Sequence, residues 1–238
     1  MQGLRRTILL FAVLFAVFVL GPPLLGKPFG AYPLMKTADV FDLFTPLVLI
    51  PLYWLLFARH YAKPPTRLEV TCFLVLSALW VEGQGMHLAA NSIGHLTESI
   101  SGTSIAALTY FYDEVLSHYM WHAAMMGLAA LLIIRQWRNP FVGEASSLGT
   151  ELGAGTLHGL NYALMVLEGT TTPIGVPFAA VAVLCIAVWG RQRLRQTPVV
   201  VFFLFTFGLA LLLIVGWMIY WRTPIFAQPV EPCSVLGC

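Results

Sequence analysis

Seven stretches of the chain, at residues 7–25, 39–58, 68–92, 106–134, 148–168, 174–190 and 198–221, stay largely apolar over about the 20 residues that an α-helix needs to cross a bilayer. In hydrocarbon every backbone N–H and C=O must find a partner within the chain, which leaves helices and closed barrels. These runs are long and lack the two-residue alternation of a barrel strand, so they predict helices. Pro22 and Pro23 close the first run, and Pro64 and Pro65 follow the second. The expected fold is an all-α integral membrane protein. Residues 1–238 form one domain of seven transmembrane helices, with no room for a second folded unit.

Composition agrees with this reading. Hydrophobic residues make up 58% of the chain and charged residues 10%, where soluble domains average about 25% charged. Mean hydropathy is +0.80. A net charge of +2 without a basic run argues against a nucleic-acid partner. The expected partners are the bilayer itself and a lipid or other apolar small molecule.

Basic residues favour cytoplasmic loops. With the N-terminus inside, Arg5, Arg6, Arg59, Lys63, Arg67, Arg135, Arg138, Arg191, Arg193 and Arg195 lie in the cytoplasm, and only Lys27, Lys36 and Arg222 lie outside. The C-terminus is then outside, Trp217, Tyr220 and Trp221 anchor the last helix at the outer interface, and Trp137 sits at the inner one. A bacterial cytoplasmic membrane is the expected location. The first segment, opened by Arg5 and Arg6, also has the form of a signal peptide. Its long apolar core and the lack of a clean small-x-small cleavage site favour a retained anchor.

Inside these runs lie ionisable residues, and a charge at the bilayer centre is costly enough to mark a functional site. Five of the six histidines fall between Trp80 and Glu168. On the third segment Gln84, His87 and Asn91 share a face, with Glu82 about half a turn away from His87. On the fourth, Glu114, His118 and His122 repeat every four residues beside Asp113 and Ser117. On the fifth, Glu151, His158, Asn161, Met165 and Glu168 form a third stripe. At 1.5 Å per residue, Glu82, His122, His158 and Asn161 fall near the midplane, and His87, Glu114, His118 and Glu168 roughly 5–12 Å toward the outer face. Three such stripes turned inward predict one polar core.

Imidazoles and carboxylates on facing helices are the ligands of zinc and iron sites. The expected cofactor is a divalent metal, zinc or iron, as one or two ions. His87, Glu114, His118, His122, His158 and Glu168 are the candidate ligands, with Asp113 and Glu114 as catalytic bases. Glu82, Asn91, Ser117 and Asn161 are candidate supporting or proton-relay residues. The Glu-x-x-His pairs of ferritin-like di-iron proteins are missing. Cys72 and Cys185 read as apolar fillers, and Cys233 and Cys238 as tail residues that could pair outside. His60 is expected at the interface and His95 in solvent, while Glu151 also suits a helix N-terminus. Gly149 with Gly153, and Gly155 with Gly159, carry the small-residue spacing of close helix packing.

In having seven helices with buried His, Asp and Ser, the chain resembles the superfamily of alkaline ceramidases and progestin-and-adipoQ receptors. Those proteins carry a His-x-x-x-His pair in the last helix, whereas here the pair is His118 and His122 in the fourth segment. No residue role carries over. The resemblance implies only that a bilayer-embedded zinc hydrolase is physically possible.

The functional expectation is a membrane-embedded, metal-dependent enzyme that hydrolyses or oxidises a lipid or other apolar substrate. The alternative is a proton- or divalent-cation-coupled transporter or channel built on the same cluster. No inverted repeat and no matched pair of Gly/Pro-broken helices supports the transporter.

Overall fold

The computed structural model describes residues 2–59, 61, 63–141, 148–190 and 194–222. His60, Arg191, Arg193, Cys233 and Cys238 lie outside the described residues. The helices are α1 (Gln2–Leu20), α2 (Thr37–Asp42), α3 (Phe44–Ala58), α4 (Arg67–Thr97), α5 (Ser104–Tyr110), α6 (Ser117–Arg138), α7 (Gly149–Glu168), α8 (Thr172–Cys185) and α9 (Pro198–Trp221). Each of the seven apolar stretches is helical over most of its length. Among the described residues, five helical segments are long and apolar enough to cross a membrane: Gln2–Leu20, Thr37–Ala58, Arg67–Thr97, Ser104–Arg138 and Pro198–Trp221. Thr172–Val188 is a shorter apolar helix. The protein is a helical membrane protein.

One departure from the all-helical expectation is a short antiparallel hairpin, β1 (Pro28–Phe29) with β2 (Tyr32–Lys36), between α1 and α2. Its residues fall in a link between apolar runs, where no helical period operates. The hairpin matters because Lys36 leads directly into α2 and fixes where that helix begins. The Lys36 N–H donates to Asp39 Oδ2 at 2.7 Å.

The core is apolar and continuous. Ile8, Phe11, Ala12 and Phe15 of α1 are fully buried beside Leu49 and Phe57 of α3 and Phe202 and Phe207 of α9. The first helix therefore packs as an integral member of the bundle. α7 lies against α9 through Gly155 and Gly159, where a Cβ would come within 2.7 Å of Phe202 O and 2.6 Å of Thr206 O. The small-residue spacing of that pair brings the two backbones together. Gly149 and Gly153 meet nothing within 4 Å and have no such role.

Two ion pairs fix the end of the bundle that carries the basic residues. Arg5 Nε lies 2.9 Å from Glu151 Oε1, joining the starts of α1 and α7. Arg135, expected in a loop, is instead buried. It donates to Phe57 O at 2.7 Å, Lys63 O at 2.6 Å and Glu69 Oε2 at 3.3 Å. Its guanidinium also lies over the rings of Phe57 and Tyr61. Glu69 in turn closes a capping box with Thr66 at the start of α4.

Candidate functional site

At the opposite end of α6 from Arg135, a cavity of about 440 Å³ opens on the hairpin side. α4 and α6 build one wall. Gly83 lets them touch, since a Cβ there would fall 2.8 Å from Trp121 N and 3.0 Å from Ser117 O. One turn further along α4, His87 is thereby set beside His118, with ring centroids 4.8 Å apart.

The helix from Ser104 to Arg138 is not regular. Between α5 and α6, Phe111–Leu116 form a π-helical turn that contains Asp113 and Glu114. Such insertions cluster at functional sites because they re-aim side chains within a helix. Here Asp113 Oδ1 lies 2.8 Å from His87 Nδ1, and the Asp113 carbonyl lies 3.4 Å from the same nitrogen. The Ser117 hydroxyl donates to the Asp113 carbonyl.

Each of three neighbouring imidazoles is held through Nδ1. His87 is held by Asp113, His118 by the Glu114 carbonyl at 3.0 Å, and His122 by Thr171 Oγ1 at 2.6 Å. The partners of His87 and His118 can only accept, so Nδ1 carries a proton, and in the neutral ring Nε2 has the lone pair. Among the described residues no protein group bonds Nε2 of His87 or His118, and Nε2 of His122 is buried without a partner. The His118 and His122 rings are nearly parallel, 5.7 Å apart. Trp121 lies edge-on to His122 at 4.0 Å.

The end of α7 provides the lid over these rings. Thr171 N bonds Val166 O and Thr170 N bonds Leu167 O, the paired bonds of a Schellman motif. Thr170 takes the left-handed position of that motif, φ 50°, which glycine usually fills. The glycine stands one residue earlier, for a different reason. A Cβ on Gly169 would sit 2.5 Å from His122 Cε1 and 3.3 Å from His118 Cγ. Gly169 thus makes room for the imidazoles, and the strained Thr170 carries the chain round to place Thr171 on His122.

Of the six candidate ligands, His87, Glu114, His118, His122 and Glu168 line the cavity, as does Asn91. His158 is not part of that wall. It is buried among Phe11, Phe15, Phe202 and Phe203, with centroids 4.4–6.2 Å away, and among the described residues neither ring nitrogen has a partner. Asn161 is also buried outside the cavity lining, donating to Leu157 O. Glu82 is exposed on the outer face of α4 rather than turned inward. His95 is half-buried, not solvated, and its Nδ1 lies 3.4 Å from Lys36 Nζ.

Two cavity carboxylates escaped the sequence reading. Asp39 is almost fully buried and binds the Lys36 N–H, Asn91 Nδ2 and Ser92 Oγ, tying α2 to α4. Asp42 accepts from Thr45 Oγ1 at 3.0 Å. Their signal was two acids within four residues at the start of an otherwise apolar run. The finished wall is acidic and imidazole-rich, with Lys36 at its edge. Among the described residues, no three His, Cys, Asp or Glu side chains form a group that could hold a metal ion as they stand.

No protein-family model matches the chain. Over 229 residues it is 24% identical to the ceroid-lipofuscinosis neuronal protein 6 homolog of the dog, Canis lupus familiaris. That alignment covers 84% of this chain and 70% of the dog protein. No solved structure matches.

Proposed function

We propose that the protein is a membrane-embedded enzyme that hydrolyses the polar group of a lipid or other apolar substrate held in the hairpin-side cavity. One observation carries this reading: His87 Nδ1 faces the Asp113 carbonyl at 3.4 Å and the Asp113 carboxylate at 2.8 Å, which leaves Nε2 of the neutral ring as the base on the α4–α6 wall. A carboxylate behind an imidazole fixes its tautomer and stabilises the imidazolium that forms when it takes a proton. His87 Nε2 would remove a proton from water as it attacks, and the same nitrogen would return it to the leaving group. Asp113 is then the orienting acid rather than the base itself. His118 and His122 line the same wall, and Glu114, Glu168, Asp39 and Asp42 set the polarity of the chamber. A volume of about 440 Å³ suits a head group, with the apolar remainder left in the bilayer.

A metal-dependent form of the same enzyme is the second reading. It is favoured by the way Nδ1 of all three histidines is held, the arrangement that orients imidazoles toward an ion. His87, His118 and His122 would hold zinc or iron, which would supply Lewis acidity to a bound polar group.

In this proposal all seven apolar stretches cross the membrane, with the N-terminus cytoplasmic and the cavity in the outer half. The Arg5–Glu151 pair supports it by holding the starts of α1 and α7 at one level, the end that also carries Arg135 and Arg138. The deciding experiment reconstitutes the protein with a mixed lipid extract and follows products by mass spectrometry. A product that disappears with His87→Ala supports an enzyme. Solute or proton flux that depends on His87, without any new chemical species, would replace that reading with transport.

A further inference from the structure

A second cavity, of about 380 Å³, lies toward the basic end of the bundle between α6 and α8 and shares no lining residue with the first. Ile133 and Ile134 of α6 face Phe178, Val181 and Ala182 of α8, and its surface is almost wholly apolar. It opens sideways, with Ile134 46% and Val181 60% exposed. From Ala130 to Arg138 the groove follows nine residues of helix, about 12 Å. On a membrane helix bundle such a groove faces acyl chains.

What gives this groove a direction is its end. Trp137 and Arg138, in the last turn of α6, close it with an indole and a cation. That pairing is typical of side chains at head-group level. Arg138 is exposed, and no ion pair engages it among the described residues. Glu69, the carboxylate that feels its charge, is already bonded by Thr66 and Arg135. Lys63 and Arg67 are exposed at the same end, so the local potential is positive.

We propose that this groove binds a phospholipid of net negative charge, one acyl chain lying between α6 and α8 and the phosphate on Arg138. A zwitterionic head group would bring its own cation beside Arg138, so the site discriminates by head-group charge. Basic pockets between membrane helices recognise anionic lipid in this way.

The test titrates the full-length protein with phosphatidylglycerol and phosphatidylcholine of identical chains and counts bound lipid by native mass spectrometry. Phosphatidylglycerol should bind at least fivefold tighter. Arg138→Gln should remove the preference, Arg138→Lys should keep part of it, and Ala182→Phe should weaken both lipids by filling the groove. If Ala182→Phe fails to fold, Val181→Trp on the exposed wall serves instead. Equal binding of the two lipids, or a preference that survives Arg138→Gln, overturns the proposal. So does a Val181→Cys cross-link showing a second copy of the chain in the groove. His87→Ala should leave the lipid preference unchanged, which separates this site from the hairpin-side cavity.

Discussion

His87 Nδ1 lies 2.8 Å from Asp113 Oδ1, joining α4 to the π-helical turn that precedes α6. Neither residue explains the contact alone. His87 reaches it because Gly83 seats α4 on α6, and Asp113 because the helix is locally unwound. If this pair is the acid–base unit, His87→Ala should lower turnover by about 10² to 10⁴. Asp113→Asn should do much the same by removing the charge that stabilises the imidazolium. The double variant should be scarcely worse than either single one, since residues that act as a unit are not additive. Independent, multiplying losses in kcat would show that the two do not act together.

Treatment with a chelator separates the two chemical readings. The His87–Asp113 unit needs no ion, so dialysis against a strong chelator should leave turnover within twofold of the untreated protein. In the metal-dependent form, turnover falls with the metal content and returns with zinc or iron. His118→Ala and His122→Ala then each lower bound metal at least tenfold. Metal per chain, measured on the folded variants beside their activity, decides between these outcomes.

The lid on His122 gives a sharper geometric test. Gly169→Ala places a methyl 2.5 Å from His122 Cε1, so the ring must leave its bond to Thr171. Activity should fall at least tenfold, an estimate set by the loss of groups that orient a working imidazole. Thr171→Val should lower it for the same reason, and Thr171→Ser should restore it. Thr170→Gly should instead raise stability slightly by relieving the left-handed position, without touching turnover. A Gly169→Ala protein with normal kcat would mean that His122 is only packing.

The positions of the long helices were legible because apolar runs of membrane length have few alternatives. The site was legible in part, since four-residue spacing fixes which side chains of α6 share a face. The α7 stripe misled for a reason of length. Glu151 and Glu168 are 17 residues apart, about 25 Å along the helix. Glu168 reaches the cavity, while Glu151 pairs with Arg5 at the far end and His158 lies about 15 Å back from Glu168, among phenylalanines. Asp39 and Asp42 could not be placed, because the hairpin that turns them inward lies in a Pro- and Gly-containing link without period. The π-helical turn has no sequence mark that a 3.6-residue period detects.

Glu82 supplies a contrast with the cavity acids. It lies at the middle of the 31-residue α4, on the exposed face, and outside the cavity lining. A carboxylate at that depth is unfavourable wherever it faces lipid. Glu82→Gln should therefore keep full turnover and equal or raise the yield of inserted protein. A loss of turnover in a well-folded Glu82→Gln variant would return this residue to the proton path.

Arg135 tests the other end of the bundle. Its guanidinium satisfies the carbonyls of Phe57 and Lys63 and the Glu69 carboxylate together, so one side chain ties α3, the following link and α4 to α6. Removing it leaves the buried Phe57 carbonyl, the Lys63 carbonyl and an acid without their donor. Arg135→Ala should cost about 3–5 kcal/mol, the usual loss when one member of a buried pair is deleted. Arg135→Lys should recover little, because a single ammonium cannot reproduce the fork that meets three oxygens at once. Glu69→Gln should cost less than Arg135→Ala, since the amide still accepts from Thr66 and Arg135. Thermal unfolding in detergent, read beside the hairpin-side activity, checks this order. A drop in turnover without a drop in stability would mean that Arg135 acts on the distant cavity rather than on the packing of its own end.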